Sequence, residues 1–163
     1  ATVASALGID TKDIKEGLNT FKPETGRMEC LGVVDSATLI NDSYNANLAS
    51  TKAAIDVLKT LESPSVLVMG DMAELGEFAE SMHQEVGEYA EQEGIDAVLA
   101  VGQYAPAVCS KRKNKCLALN DVDAVVNALK NDWPNNGTIM LKGSRSMRLE
   151  RVADKLIQQE VAL

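Results

Sequence analysis

The chain has 163 residues, 45% of them hydrophobic, and a formal net charge of −8. That length suits one domain with a short extension, and the acidic balance argues against nucleic acid as a partner, because a phosphate backbone needs a basic face. No apolar run approaches the roughly 20 residues of a membrane helix, and no basic segment leads into a long apolar stretch, so neither membrane insertion nor a signal peptide is expected.

Residues 1–7 and 10–21 read as helical segments separated by Gly8, and 21–26 reads as a linker. This leading stretch has no core of its own. It reads as the tail of a preceding domain or as a helix packed onto the sheet. Residues 32–38 suggest a hairpin or an edge strand beside a first parallel strand at 37–41. Ala54, Val57, Leu58 and Leu61 then mark a helix, with Ser50 as its expected N-cap.

From Ser65 onward the chain alternates. Apolar runs at 65–69, 97–101, 115–119 and 138–141 read as strands. Between and after them, Met82, Val86, Tyr89 and Ala90, then Val122, Val125, Val126 and Leu129, then Leu149, Val152, Ala153 and Leu156 recur at helical spacing. Uninterrupted apolar strands separated by helices indicate buried parallel strands covered on both faces. The expected fold is α/β: a Rossmann-like, open, mostly parallel sheet.

Three cysteines, Cys30, Cys109 and Cys116, show neither C-x-x-C spacing nor a neighbouring histidine. Zinc is not expected, and the set reads as reduced thiols. Of two basic runs, Lys111, Arg112, Lys113 and Lys115 read as a solvated loop. The other, Lys142, Arg145, Arg148 and Arg151, lies at a strand-to-helix turn.

Four loops follow strand ends: 42–47, 70–76, 102–104 and 142–146. In an open α/β sheet these ends share one edge, where ligands bind, so the loops are expected to converge. No G-x-x-x-x-G-K-[ST] stretch is present to cradle a triphosphate. Asp42 is a candidate partner for ribose hydroxyls or an arginine, or a helix cap. Asn45 and Asn47 are turn formers or ligands. In 142–146, Gly143 allows close backbone approach and Arg145 suits a carboxylate or phosphate, with Ser144 or Ser146 alternatively a simple cap. The acids Asp71, Glu74 and Glu77 either position a metal or substrate or serve the loop structurally, and the lone His83 reads as structural.

Five segments together carry a resemblance. They are Gly26-Arg27-Met28-Glu29, Asn41-Asp42-Ser43-Tyr44-Asn45-Ala46-Asn47, Gly70-Asp71-Met72-Ala73-Glu74-Leu75-Gly76-Glu77 with His83, Gly94-Ile95-Asp96, and Lys142-Gly143-Ser144-Arg145-Ser146. In this order, over residues 26 to about 157, the chain resembles the C-terminal domain of the Mur ligases, and within them the MurF type. Residues 1–25 resemble the end of the family's central ATPase domain and its linker, leaving 26–163 as the C-terminal domain. One departure is Leu48, where the family usually has proline, a good first helical residue.

The resemblance implies an ATP-dependent, amide-forming ligase that adds D-alanyl-D-alanine to UDP-N-acetylmuramoyl-tripeptide in peptidoglycan precursor synthesis, in the bacterial cytoplasm. ATP and Mg2+ would be held mainly by the central domain, which carries the P-loop, the metal ligands and a carbamylated lysine. The N-terminal and central domains are the implied partners. No metal site is expected in this chain, and no complete catalytic set. By the same resemblance Arg27 and Asp42 contact the nucleotide, with Tyr44, Asn45 and Asn47 shaping that site. Lys142, Ser144, Arg145 and Gly102 fall where the dipeptide is held. The chain alone would be inactive. The competing expectation is a free-standing Rossmann-like nucleotide-binding module; the lack of a G-x-G-x-x-G fingerprint after the first strand weighs against it.

Overall fold

A computed structural model describes residues 1–20, 24–132 and 134–160. Six strands form one sheet: β1 (Glu29–Val34), β2 (Ala37–Asp42), β3 (Ser65–Gly70), β4 (Ala97–Val101), β5 (Lys115–Leu119) and β6 (Thr138–Lys142). Their order is β1-β2-β6-β3-β4-β5. Only β1 runs antiparallel; the remaining pairs are parallel, as the apolar runs indicate. The β1–β2 hairpin turns on Asp35 and Ser36, both at positive φ (44° and 70°), the backbone of the tight turn that matches strand twist.

Among the described residues seven α-helices accompany the sheet: α1 (Thr2–Ala6), α2 (Thr11–Asn19), α3 (Leu48–Leu58), α4 (Ala79–Gln92), α5 (Ala105–Cys109), α6 (Val122–Asn131) and α7 (Glu150–Glu160). Two cores sit on opposite faces. Val122, Val125 and Leu129 of α6 and Leu149, Val152 and Leu156 at α7 cover one face of the sheet. Ala54, Ile55 and Leu58 of α3, with Val86 of α4 and Val108 of α5, cover the other. Strand β3, at the centre, is buried along its whole length, which is why its sequence shows no alternation. The expected doubly wound architecture is present, with the antiparallel β1 added at an edge.

Five expectations at this level change. The N-cap of α3 is Asn47, not Ser50: the Asn47 carboxamide accepts from Ser50 N–H (2.8 Å), and the Ser50 hydroxyl accepts from Asn47 N–H (3.1 Å). This reciprocal box closes the turn without a proline at Leu48. Cys109 and Cys116 are not separate thiols but a disulfide, because the turn after α5 returns the chain to β5 with their Cα atoms 5.4 Å apart. Cys30 is free and exposed. The run 111–115 is not all solvated: the Arg112 side chain is buried against Ile95, whose carbonyl it reaches at 2.8 Å, and burial lowers its pKa. The helical segment expected to reach residue 21 ends at Asn19, and part of the linker, 21–23, lies outside the described residues. α1 and α2 contain no buried residue, so neither packs onto the sheet as a core element.

Candidate functional site

The four strand-end loops are joined into one edge in the order of their strands. β2 and β6 are in parallel register with Asp42 opposite Lys142. The Lys142 ammonium pairs with Asp42 Oδ2 at 3.2 Å and donates to the main-chain carbonyls of Asp42 (3.3 Å) and Asn45 (2.5 Å). Two residues on, Ser144 N–H donates to the Asp71 carbonyl (3.0 Å), and the Ser144 hydroxyl accepts from Ala73 N–H (2.7 Å). Asp71 in turn accepts from the N–H groups of Gln103 (2.8 Å) and Tyr104 (3.0 Å). Gly102 is required there: its φ is +121°, and a Cβ would lie 2.5 Å from the Asp71 carboxylate. The expected convergence is therefore present.

A fifth segment, ahead of β1, closes the other end of this edge. Gly26 sits at φ +74°, with room for a Cβ only 3.2 Å from Tyr44 N, and its carbonyl accepts from Tyr44 N–H (2.9 Å). The Gly26 N–H donates to Glu29 Oε2 (2.9 Å), and Met28 N–H donates to Asp42 Oδ1 (3.0 Å). These bonds hold Arg27 so that its guanidinium lies 4.1 Å above the Tyr44 ring, a stacking that favours the cation without consuming its in-plane donors.

All the candidates but Gly102 line three neighbouring cavities with shared walls. Arg27, Tyr44 and Arg145 meet with Glu24 and Thr25 around one of about 340 Å³. Arg27, Asp42, Tyr44, Asn45, Asn47 and Lys142 line a second of about 190 Å³. Asn45, Asn47, Ser144 and Arg145, with Ala73 and Glu74, line a third of about 440 Å³. Arg27, Asp42 and Arg145 thus share one rim, at the carboxyl ends of β2 and β6.

The individual roles are less uniform than their spacing implies. Asp42 caps no helix; its carboxylate is bonded to Met28 and Lys142. Asn47 is the N-cap of α3, and Asn45 Oδ1 accepts from Ala46 N–H (2.9 Å), so both are turn formers here. Arg145 is 67% exposed, with Glu150 Oε1 at 3.5 Å, and remains free to meet a ligand. Gly102 is tied to Asp71 and lines none of the three cavities. Lys142 is 2% exposed and faces the Asp42 side.

His83 is fully buried: Nε2 accepts from Met72 N–H (2.8 Å) and Nδ1 lies 2.6 Å from the Ala79 carbonyl, which places the proton on Nδ1. Its ring stacks on Tyr104 at 4.6 Å. The histidine is structural, as expected. Among the described residues no group of three or more His, Cys, Asp or Glu is placed to hold a metal ion. Two wall residues, Glu24 and Thr25, escape a reading of the sequence because they look like linker; the adjoining Gly26, forced into a left-handed conformation, is the available signal.

Comparison with known proteins decides the family. Residues 26–145 match the model of the Mur ligase, glutamate ligase domain. The chain belongs to the Mur ligase C-terminal domain family. This Mur ligase domain is 38% identical over 158 residues to the UDP-N-acetylmuramoyl-tripeptide–D-alanyl-D-alanine ligase of Escherichia coli, covering 96% of this chain and 35% of the relative. It is 30% identical over 163 residues to the enzyme of the same name from Bacillus subtilis, covering 96% and 36%. A crystal structure of MurF from Acinetobacter baumannii superposes with a TM-score of 0.80 at 29% identity, covering 96% of this chain and 35% of that one. MurF ligase from Thermotoga maritima, crystallised in complex with ADP, gives a TM-score of 0.80 at 25% identity, covering 98% and 37%. The chain spans about a third of the length of these relatives.

Proposed function

We propose that the chain is the C-terminal domain of a MurF-type ligase that adds D-alanyl-D-alanine to UDP-N-acetylmuramoyl-tripeptide in the bacterial cytoplasm, and that it is inactive alone. The observation that carries this reading is the single rim on which Arg27, Asp42, Tyr44 and Arg145 meet. A guanidinium stacked on a phenol ring, a carboxylate below it and two asparagines beside it fit the ribose and phosphates of a nucleotide. A second guanidinium and the Ser144 hydroxyl, in the adjoining cavity, fit the carboxylate end of a dipeptide.

In this function the tripeptide carboxylate attacks the γ-phosphorus of ATP and ADP leaves. The dipeptide amine then attacks the acyl phosphate, and collapse of the tetrahedral intermediate expels phosphate and leaves the amide. Magnesium supplies charge neutralisation at the phosphates when bound; its ligands, with the P-loop, belong to the central domain. This chain's residues bind and orient. Arg27, Asp42, Tyr44, Asn45 and Asn47 form the nucleotide side, and Ser144 and Arg145 the dipeptide side, with the Gly102 loop supporting them through Asp71. Closure of this domain over the central one brings the rim to the reacting phosphate and excludes water. Residues 1–25 connect the two.

The test is D-alanyl-D-alanine-dependent phosphate release. The full-length enzyme turns over and the isolated chain does not. In the full-length enzyme, Arg27→Ala and Asp42→Ala each lower kcat/KM for ATP by at least about tenfold, the loss of roughly one charge-assisted contact. Wild-type values in both variants defeat the site assignment.

A further inference from the structure

We infer that Lys142 is a positioning residue of the nucleotide side and does not touch the dipeptide. The inference rests on the nucleotide-side reading of Arg27 and Asp42 above. An ammonium has three hydrogens to donate, and Lys142 has three acceptors in reach: Asp42 Oδ2 at 3.2 Å, the Asp42 carbonyl at 3.3 Å and the Asn45 carbonyl at 2.5 Å. The side chain is 2% exposed. Two hydrogens are committed to main-chain carbonyls and the charge is paired with the Asp42 carboxylate inside the protein, which leaves a substrate carboxylate no exposed cation here.

The effect of that burial is transmitted outward. The ammonium gathers both ends of the 42–45 turn and holds one oxygen of Asp42. The other oxygen holds Met28 N–H at 3.0 Å, next to Arg27. One buried charge thereby fixes the Asp42 carboxylate at the wall it shares with Tyr44 and Asn47, and, through Met28, the segment that lays Arg27 over Tyr44. Each accepting oxygen of Asp42 keeps a second lone pair for a ligand hydroxyl. The register that puts Asp42 beside Lys142 on adjacent parallel strands makes the pair a property of the sheet and not of a mobile loop.

The test uses the full-length ligase and measures KM for ATP and for D-alanyl-D-alanine separately, with the melting temperature of each variant. Lys142→Met is expected to raise KM for ATP about tenfold, as removal of a supporting group does, and to leave KM for the dipeptide within about twofold. Because part of the effect runs through the Asp42 carboxylate, the double variant Asp42→Asn/Lys142→Met should raise KM for ATP by less than the product of the two single effects. A selective rise in KM for the dipeptide, or an unchanged KM for ATP in Lys142→Met, overturns the inference. If the single variant does not fold, the comparison of Asp42→Asn with the double variant, in which no charge is stranded, decides: a further rise in KM for ATP well below about tenfold supports the inference, and a full rise of about tenfold overturns it. A wild-type KM for ATP in Asp42→Asn overturns the nucleotide-side reading itself, and this inference with it. If Asp42→Asn raises it and Lys142→Met does not, only the role of Lys142 fails.

Discussion

At the scale of single residues, most of the site's precision comes from backbone groups that side chains hold in place. Gly26 is the sharpest case. At φ +74° an alanine is strained, and its Cβ would press on Tyr44 N at 3.2 Å. Gly26→Ala should therefore cost about 1–2 kcal/mol of stability and, in the full-length enzyme, raise KM for ATP by displacing Arg27; urea unfolding and steady-state kinetics check the two effects. Asp96 illustrates the same economy away from the rim. Its carboxylate accepts from Ser65 N–H (2.7 Å) and from the hydroxyls of Ser63 and Ser65, joining the starts of β3 and β4. These bonds, the Ser65 N–H first, hold its pKa below the ordinary 3.8. A carboxylate whose pKa is lowered by folding contributes stability above its unfolded pKa and loses it as pH falls through the folded one. The chain should thus lose stability below about pH 4, and Asp96→Asn should flatten that part of the profile; identical acid limbs for the two proteins in urea titrations at stepped pH would refute the role.

At the scale of elements, the strands were readable because burial on both faces leaves uninterrupted apolar runs, and the helices because 122, 125, 126 and 129 repeat with the helical period. What the sequence concealed was reciprocity and return geometry. Ser50 looks like a cap because serine caps well, but it is the third helical residue of a box whose cap is Asn47. Cys109 and Cys116 look unrelated until α5 and its turn bring them together. Two of the Lys142 partners are main-chain carbonyls of the loop after β2, which no pattern of side chains reveals. The rim itself was readable, since strand ends in a parallel sheet share an edge. Helix packing gives a further prediction. α4 approaches α5 so closely at Gly87 that a Cβ would lie 1.9 Å from the Val108 carbonyl. Gly87→Ala must push α5 away, and overpacking of this kind costs about 1–3 kcal/mol. Since α5 begins directly after Tyr104, which donates to Asp71, the displacement should also loosen the 102–104 loop, seen as faster amide exchange at Tyr104 than in the wild-type chain.

At the scale of the whole molecule, two parts differ in what holds them. The sheet carries two packed cores, one on each face. α1 and α2 bury nothing and, with the turn between them, expose Val3, Leu7, Ile9 and Leu18, with Leu7 75% exposed. Four large apolar side chains within some twenty residues gain nothing from water, and each would contribute roughly 1.5–3 kcal/mol if fully covered. The relatives are about three times as long as this chain, and on the function proposed above we propose that the covering surface lies on the central domain of the full-length ligase. Two opposite consequences arise from one cause. In the isolated chain, removal of residues 1–20 should leave the unfolding midpoint of the sheet unchanged within about 2 °C, because no core contact is lost. In the full-length enzyme, Leu7→Asp with Leu18→Asp should lower the melting temperature by several degrees and reduce turnover, because a carboxylate would be forced into an apolar contact. A full-length double variant with wild-type stability would show that these residues face solvent there too, and that the leading helices belong with neither domain.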